Sequence, residues 1–211
     1  MNPGPFLLIA LLLAGCGGGG EDENSAEPSS GDCNVTVEDS ARAPSLAPLD
    51  PAKTYRIEFT TSRGAFTVEL DAAKAPCHGD SLIDLARAGF FDDTRFHRIV
   101  PGFIIQGGDP TASGTGGPGY MTVDTPPPGT KYTKGVVAMA KSQADPPGAG
   151  GSQFFVVTAP DAGLPPDYAV VGKIVEGLDT VEEIGELGDP QTEMPTERVV
   201  IERTTVSIDV L

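Results

Sequence analysis

The sequence contains no tryptophan, two histidines and only three cysteines among its 211 residues. The cysteines form no C-x-x-C pair, which excludes a thioredoxin-type redox motif and a ribbon-type zinc site. Lys and Arg number 14 against 30 Asp and Glu, for a formal net charge of −16, so no nucleic-acid partner is expected. No apolar run reaches the ~18 residues of a membrane-spanning helix. The 27 glycines and 20 prolines follow no collagen-like period and predict a loop-rich fold.

Near the N-terminus, nine consecutive apolar residues occupy positions 6–14 and are followed by Gly15-Cys16. This length suits the apolar region of a secretory signal, with a buried core segment as the alternative. We therefore interpret residues 1–15 as a signal peptide. The motif Leu13-Ala14-Gly15-Cys16 resembles the lipobox of bacterial lipoproteins, although no Lys or Arg precedes the apolar run. That resemblance implies a lipidated Cys16 and an extracytoplasmic protein anchored to the cell membrane.

Residues 16–52 form an acidic segment rich in Gly, Ser and Pro. Four glycines follow Cys16, and positions 21–50 carry eight acidic residues and one arginine. Low hydrophobicity combined with charge of one sign keeps a segment solvated rather than packed. We expect residues 16–52 to be a flexible tether and residues 53–211 to be the folded domain.

The folded domain combines many short strand patterns with two helical ones. Period-two alternation and short apolar runs bounded by Gly and Pro predict strands at 55–59, 65–70, 95–100, 103–106, 136–140, 153–158, 169–175 and 198–209. Apolar spacing predicts helices at 80–89 and 178–187. This mainly β pattern favours a closed antiparallel barrel over alternating βαβ units.

Three stretches carry the most specific motifs: 96–110 (FHRIVPGFIIQGGDP), 151–156 (GSQFFV) and 169–174 (AVVGKI). Together with the Gly-rich segment 114–120, they resemble the cyclophilin family of peptidyl-prolyl cis–trans isomerases from about residue 53 to the end. The resemblance implies a closed eight-stranded antiparallel β-barrel capped by two α-helices. It also implies proline-containing polypeptides as substrates, with no cofactor and no metal, and we expect a monomer.

Arg98 is the candidate catalytic residue. Pro101-Gly102 predicts a turn between two strands, which places the Arg98 guanidinium beside the Gln106 amide that can orient it. Isomerisation of an X–Pro bond must break amide resonance against a barrier of ~18–20 kcal/mol. As the bond twists, the prolyl nitrogen regains a lone pair, and a fixed cationic donor stabilises that form. The matching family arginine has this role, and a surface ion pair is the alternative for Arg98.

The resemblance also implies a pocket for the proline ring and contacts to the flanking peptide. The implied substrate-binding residues are Phe103, Ile104, Ala140, Gln153, Phe155, Leu164 and Tyr168. For the Phe and Ile residues the alternative is an ordinary core position, most of all for Ile104. Lys141-Ser142 replaces the Asn-Ala pair common in the family, which bears on the preference for flanking residues.

Other chemistries fit the sequence less well. Residues 150–154 fail the nucleophile-elbow pattern at the last position, and a hydrolase triad has only His78 and His97 to draw on. The Gly-rich segment lacks the Gly-Lys-Ser/Thr of a phosphate-binding loop. Cys77 and His78 are adjacent rather than spaced for one metal. The rival functions are a membrane-tethered proline-peptide binding module with incidental isomerase activity and, more weakly, a structural envelope lipoprotein.

With Cys16 acylated, two cysteines remain. Cys33 and Cys77 form an even pair in an oxidising compartment, where disulfides persist. We expect them to pair and to hold the tether beside the first helix; two free thiols are the alternative.

Overall fold

A computed structural model of the chain describes residues 33–37 and 44–210, and the expected signal peptide and Cys16 lie outside these residues. The described part contains eleven strands and two helices. In chain order they are β1 (Val35–Val37), β2 (Lys53–Thr61), β3 (Gly64–Leu70), α1 (Pro76–Arg87), β4 (Arg98–Val100), β5 (Ile104–Gly107), β6 (Tyr120–Val123), β7 (Val136–Met139), β8 (Ala149–Gly150), β9 (Phe154–Val157), β10 (Val170–Glu176), α2 (Leu178–Gly185) and β11 (Ile201–Val210). Neither helix is long and apolar enough to cross a membrane.

Eight strands form one antiparallel sheet in the order β11-β2-β3-β10-β7-β9-β5-β4. The predicted mainly β fold with two helices is confirmed, whereas the predicted closed barrel is wrong. The end strands β4 and β11 share no ladder, but an isolated bridge between Arg95 and Val200 and three backbone hydrogen bonds join residues 93–96 to 199–201. These short contacts, rather than a strand ladder, connect the two ends of the large sheet. A separate three-stranded sheet has the order β1-β6-β8.

Alternation along the inner strands divides the buried side chains into two groups. Odd and even positions of a strand point to opposite faces of a sheet. Ile105, Phe154 and Val156 enter a central cluster, which α1 and α2 cover with residues such as Leu82 and Ile184. The opposite face carries a smaller group, here called the lateral cluster, whose buried members are Ile104, Tyr132, Ala138, Phe155, Val157, Ala159 and Val170.

Helix α1 begins four residues earlier than its apolar spacing predicts. Pro76 occupies its first turn, where a missing N–H costs nothing. The Asp124 carboxylate accepts the free backbone N–H of His78 at 2.7 Å and a bond from the His78 ring at 2.9 Å. The helix start is therefore stabilised by a side chain 46 positions away in the sequence.

The structure differs from the expected flexible tether over residues 33–37 and 44–52. Strand β1 pairs with β6, and a disulfide joins Cys33 to Cys77 at the start of α1. Leu46 and Leu49 are buried, and Leu49 belongs to the central cluster. These two apolar side chains, set within a polar stretch, give the segment a reason to pack.

Candidate active site

Arg98 and Gln106 lie opposite each other on the β4–β5 hairpin. The connecting turn contains Gly102 with a φ of +67°, a left-handed conformation that glycine adopts without strain. The register pairs Arg98 with Gln106 and Val100 with Ile104. Arg98 Nη1 approaches Gln106 Oε1 at 3.5 Å, a long hydrogen bond, and the arginine side chain is 36% exposed. The hairpin thus presents a half-exposed guanidinium beside an amide.

A chain of amide hydrogen bonds continues from Gln106 into the Gly-rich segment. Gln106 Nε2 donates to Gln153 Oε1 at 3.0 Å, and Gln153 Nε2 donates to the Gly116 carbonyl at 2.9 Å. The Ala140 backbone N–H donates to the Gln153 carbonyl at 2.9 Å. Three separate parts of the chain are therefore fixed relative to Arg98.

The lateral cluster lies next to these polar groups, because Phe155 pairs with Gln106 in the β5–β9 ladder. Phe155 and Ile104 are buried within the cluster, so Ile104 takes the core position that was its alternative. The partly buried residues packed against the cluster include Phe103, Ala140, Leu164 and Tyr168. The Phe155 and Tyr168 rings meet edge to face with centroids 5.5 Å apart, a favourable aromatic geometry. The structure thus brings together all the apolar residues that the sequence assigned to a pocket.

Tyr132 is a residue beside the candidate site that sequence reasoning missed. It is fully buried in the lateral cluster, and burial raises the pKa of its hydroxyl. That hydroxyl donates to the Tyr168 carbonyl at 2.7 Å and accepts the Tyr168 N–H at 3.0 Å. Tyr132 therefore fixes the backbone of a residue at the pocket rim. A lone tyrosine in a Gly/Pro-rich stretch gave no pattern that could have revealed this.

Glu193 was also missed, and it contacts the candidate catalytic residue directly. Its Oε2 accepts a hydrogen bond from Arg98 Nε at 2.7 Å. The two residues are 95 positions apart, and Glu193 lies outside every motif that the sequence analysis used.

A second cleft of about 350 Å³ adjoins the pocket. Its lining includes the glutamines Gln106 and Gln153, the Gly-rich segment and the backbone at Ala140. Lys141 closes one side with a side chain that is only 4% exposed and pairs with Asp167 at 2.9 Å. The Lys141 ammonium also lies 5.8 Å from the centre of the Tyr168 ring. Lys141 therefore connects the cleft to Tyr168, which packs against the lateral cluster.

Asp109 determines the shape of the Gly-rich segment. Its carboxylate is buried and accepts backbone N–H groups from Thr111 at 2.7 Å, Gly114 at 2.7 Å and Gly116 at 3.1 Å. Burial alone would raise its pKa, but these bonds and the Thr111 hydroxyl lower the pKa to about 2. A Cβ at Gly116 would overlap the Asp109 side chain, so glycine is required there.

The hydrolase alternative finds no support in the geometry. Ser152 is buried and donates its hydroxyl to the Gly108 carbonyl at 2.7 Å. The ring nitrogens of His97 are buried without a hydrogen-bond partner in the described structure, and burial lowers the pKa of this histidine. His78 is bonded to Asp124 instead. Within residues 33–37 and 44–210, no three His, Cys, Asp or Glu side chains gather as metal ligands would.

Comparisons with known proteins show the family to which the chain is similar. A family model described as "Cyclophilin type peptidyl-prolyl cis-trans isomerase/CLD" matches residues 56–206. The chain is 36% identical over 157 residues to "Peptidyl-prolyl cis-trans isomerase-like 1" of Gibberella zeae, which covers 72% of this chain and 95% of that protein. It is 35% identical over 154 residues to "Peptidyl-prolyl cis-trans isomerase CYP18-2" of Arabidopsis thaliana, covering 71% and 92%.

Solved structures give the same result. A cyclophilin-type peptidyl-prolyl cis–trans isomerase of Cryptosporidium parvum superposes with a TM-score of 0.66 at 28% identity, covering 73% of this chain and 98% of that one. A second structure of the same protein, determined in the presence of the dipeptide Ala-Pro, superposes with a TM-score of 0.65.

Proposed function

We propose that this chain, which belongs to the cyclophilin-type family of peptidyl-prolyl cis–trans isomerases, isomerises X–Pro bonds through Arg98. The planar amide must lose its resonance, against a barrier of ~18–20 kcal/mol. In the twisted form the prolyl nitrogen carries a lone pair that it lacks in either planar form. A donor held at that position binds the twisted form more strongly and lowers the barrier without a covalent step.

The register that places Arg98 opposite Gln106, and Gln106 opposite Phe155 of the lateral cluster, is the observation that carries this mechanism. Its guanidinium remains charged throughout the working pH range and has a planar array of donors. Gln106 contacts Nη1 and is itself bonded to Gln153, so the donor group is supported by neighbouring side chains. Ser152 is bonded to the Gly108 carbonyl, His78 is bonded to Asp124, and the ring nitrogens of His97 are buried.

The substrates that fit are polypeptides that present proline. The lateral cluster supplies a pocket for the pyrrolidine ring, lined by Phe103, Leu164 and Tyr168 and floored by Phe155. The cleft beside it is lined by Gln106, Gln153 and the Gly-rich segment, whose hydrogen-bonding groups can bind the chain that flanks the proline. A related isomerase was studied with Ala-Pro, which is consistent with proline peptides as ligands for this chain.

The protein acts outside the cytoplasm, attached to the cell membrane through a lipidated Cys16. The lipobox-like Leu13-Ala14-Gly15-Cys16 supports this, as does the Cys33–Cys77 disulfide, because disulfides persist in oxidising compartments. The family match begins at residue 56 and leaves the N-terminal segment outside it. Growth with labelled fatty acid should label the wild type and not Cys16→Ala. A soluble, unlabelled wild-type protein would refute the anchor.

A protease-free prolyl isomerisation assay tests the mechanism. Arg98→Ala should retain the wild-type melting temperature and lose at least ~10²-fold in kcat/KM, as when one preorganised donor to developing charge is removed. The same assay separates catalysis from the rival function. A binding module with incidental activity would bind proline peptides with similar affinity and show low turnover in both proteins. A folded Arg98→Ala variant with wild-type kcat/KM would disprove the mechanism.

A further inference from the structure

The Glu193 carboxylate accepts a hydrogen bond from one particular nitrogen of the Arg98 guanidinium, Nε. An arginine carries five N–H donors in a fixed planar fork. Nε, the nitrogen nearest the stem, donates to Glu193 at 2.7 Å, and Nη1 approaches Gln106 at 3.5 Å. Within the described residues, Nη2 has no hydrogen-bond partner. The stem side of the fork is therefore held by protein, and the far end is free to meet a ligand.

The backbone around Glu193 fixes its position relative to Arg98. Glu193 has a φ of +58° and donates its N–H to the Asp189 carbonyl at 2.8 Å. Its own carbonyl accepts the N–H of Ile99, the residue next to Arg98 on β4, at 2.9 Å. The Asp189 N–H donates to the Met194 carbonyl at 2.9 Å, which closes the loop from 189 to 194. The carboxylate and the guanidinium thus extend from two backbone segments that are hydrogen-bonded to each other.

We propose that Glu193 is a positioning residue for the isomerase reaction, one that aims the terminal nitrogens of Arg98 into the proline pocket. A charged, half-exposed side chain samples many orientations, and holding it in one before the substrate arrives removes reorganisation from the reaction. A contact at Nε restrains the plane of the guanidinium without occupying the far donors. This inference rests on the proposed catalytic role of Arg98.

A double-mutant cycle in the full chain tests the proposal. Glu193→Ala should lower kcat by about three- to five-fold with little change in KM, the range of a half-exposed ion pair. Glu193→Gln keeps a carbonyl acceptor and should recover most of that loss. In an Arg98→Ala background, Glu193→Ala should change nothing further, because the group that it positions is gone.

The matched control is Glu182→Ala. Glu182 pairs with Lys134 and is 45% exposed, the same as Glu193, but lies outside the site. It should leave kcat and KM unchanged. The backbone bonds of Glu193 do not involve its side chain, so both Glu193 variants should keep the wild-type melting temperature. Glu182→Ala and Arg98→Ala should do so as well, because each removes only a half-exposed ion pair.

The outcomes separate this inference from the mechanism on which it rests. An inactive Arg98→Ala variant combined with a wild-type kcat for Glu193→Ala would overturn the positioning role alone. The same holds if the Glu193→Ala loss persists in the Arg98→Ala background, or if Glu182→Ala loses as much. A fully active Arg98→Ala variant would overturn both.

Discussion

Strands β5 and β9 supply two apolar clusters that differ in how they are closed. On one face, Ile105 and Phe154 enter the central cluster, which the two helices cover. On the other face, Ile104 and Phe155 enter the lateral cluster, whose rim of Phe103 and other side chains stays partly exposed. Neighbouring residues of the same strands therefore belong to different clusters. One face packs against the helices, and the other, where Phe155 pairs with Gln106, is the face at which we propose that proline binds.

Truncating the two neighbouring phenylalanines is the most direct way to break this comparison. Phe154 is 1% exposed and packs near the rings of Phe59, Phe91 and Phe96. Phe154→Ala should cost about 3–5 kcal/mol of unfolding free energy and leave the activity of the folded fraction intact. Phe155 is 3% exposed, so Phe155→Ala should also destabilise the fold, but it should in addition lower kcat/KM of the folded fraction. Denaturant unfolding and the isomerase assay measure both; an unchanged kcat/KM of folded Phe155→Ala would contradict the division.

The disulfide extends the comparison to the N-terminal segment. Cys77 lies in the first turn of α1, the helix that covers the central cluster. The Cys33–Cys77 bond should therefore affect stability rather than activity. For a separation of 44 residues, closing the loop stabilises the fold by up to about 4 kcal/mol in the chain-entropy account. Paired Cys→Ser variants should lose stability while the folded fraction keeps its activity. Reduction should change the intact mass by 2 Da per disulfide; no change would disprove the pairing.

Cyclosporin probes the open rim of the lateral cluster. Many members of the family carry a Trp there, whereas this chain has none, and counting back from Tyr168-Ala169-Val170-Val171-Gly172-Lys173 puts Gly163 at that position. Compared with such members, losing one hydrogen bond and one ring contact predicts roughly 10- to 300-fold weaker binding. A Cβ at Gly163 would have open space, but the φ of +63° strains any side chain there, so Gly163→Trp should restore part of the affinity at some cost in stability. Low-nanomolar inhibition of the wild type would contradict this prediction.

The stability contributed by Asp109, on the polar side of the site, should depend on pH in the acid range. Its folded pKa of about 2 lies below the unfolded value near 3.9, so its stabilisation is present above about pH 4 and is lost as the pH falls through 2. Asp109→Asn should be less stable than wild type at pH 7 by about 1–3 kcal/mol. The difference should shrink in acid unfolding curves. A constant difference from pH 7 to pH 2 would contradict this assignment.

The smallest expected effect is that of pH on turnover. Arg98 keeps its charge from about pH 6 to 9, so kcat/KM should be nearly flat across this range. Burial lowers the pKa of His97, which keeps its ring neutral at and above pH 7. An activity that changes with a group titrating below the ordinary histidine pKa of ~6.5 would instead implicate His97.

Local patterns in the sequence predicted the parts of the site that depend on neighbours along the chain. The turn at Pro101-Gly102 was enough to place Arg98 opposite Gln106, because hairpin register follows from the turn. The same patterns could not reveal Glu193 or Tyr132, whose partners lie 95 and 36 positions away. Long-range contacts of this kind follow from packing and have no period in the sequence.

The predicted ends of helices and strands were wrong for the same reason. The start of α1 at Pro76 depends on the distant Asp124, and the strands of the small sheet, such as Ala149–Gly150, are too short to show alternation. The open ends of the large sheet could not be foreseen, since pairing between β4 and β11 depends on how far the sheet curls. The core phenylalanines were visible as apolar positions, but only the register divided them between the two clusters.

The Asp109 carboxylate gives the Gly-rich segment an unusual independence from its surroundings. Successive backbone N–H groups that converge on one point form an anion-binding nest, the arrangement that holds phosphate in many nucleotide enzymes. Here Gly114 and Gly116 aim their N–H groups at an anion that is covalently part of the chain. The concave loop is therefore filled from within. Because an internal carboxylate already accepts these N–H groups, dissolved phosphate meets no free nest in this wall of the cleft.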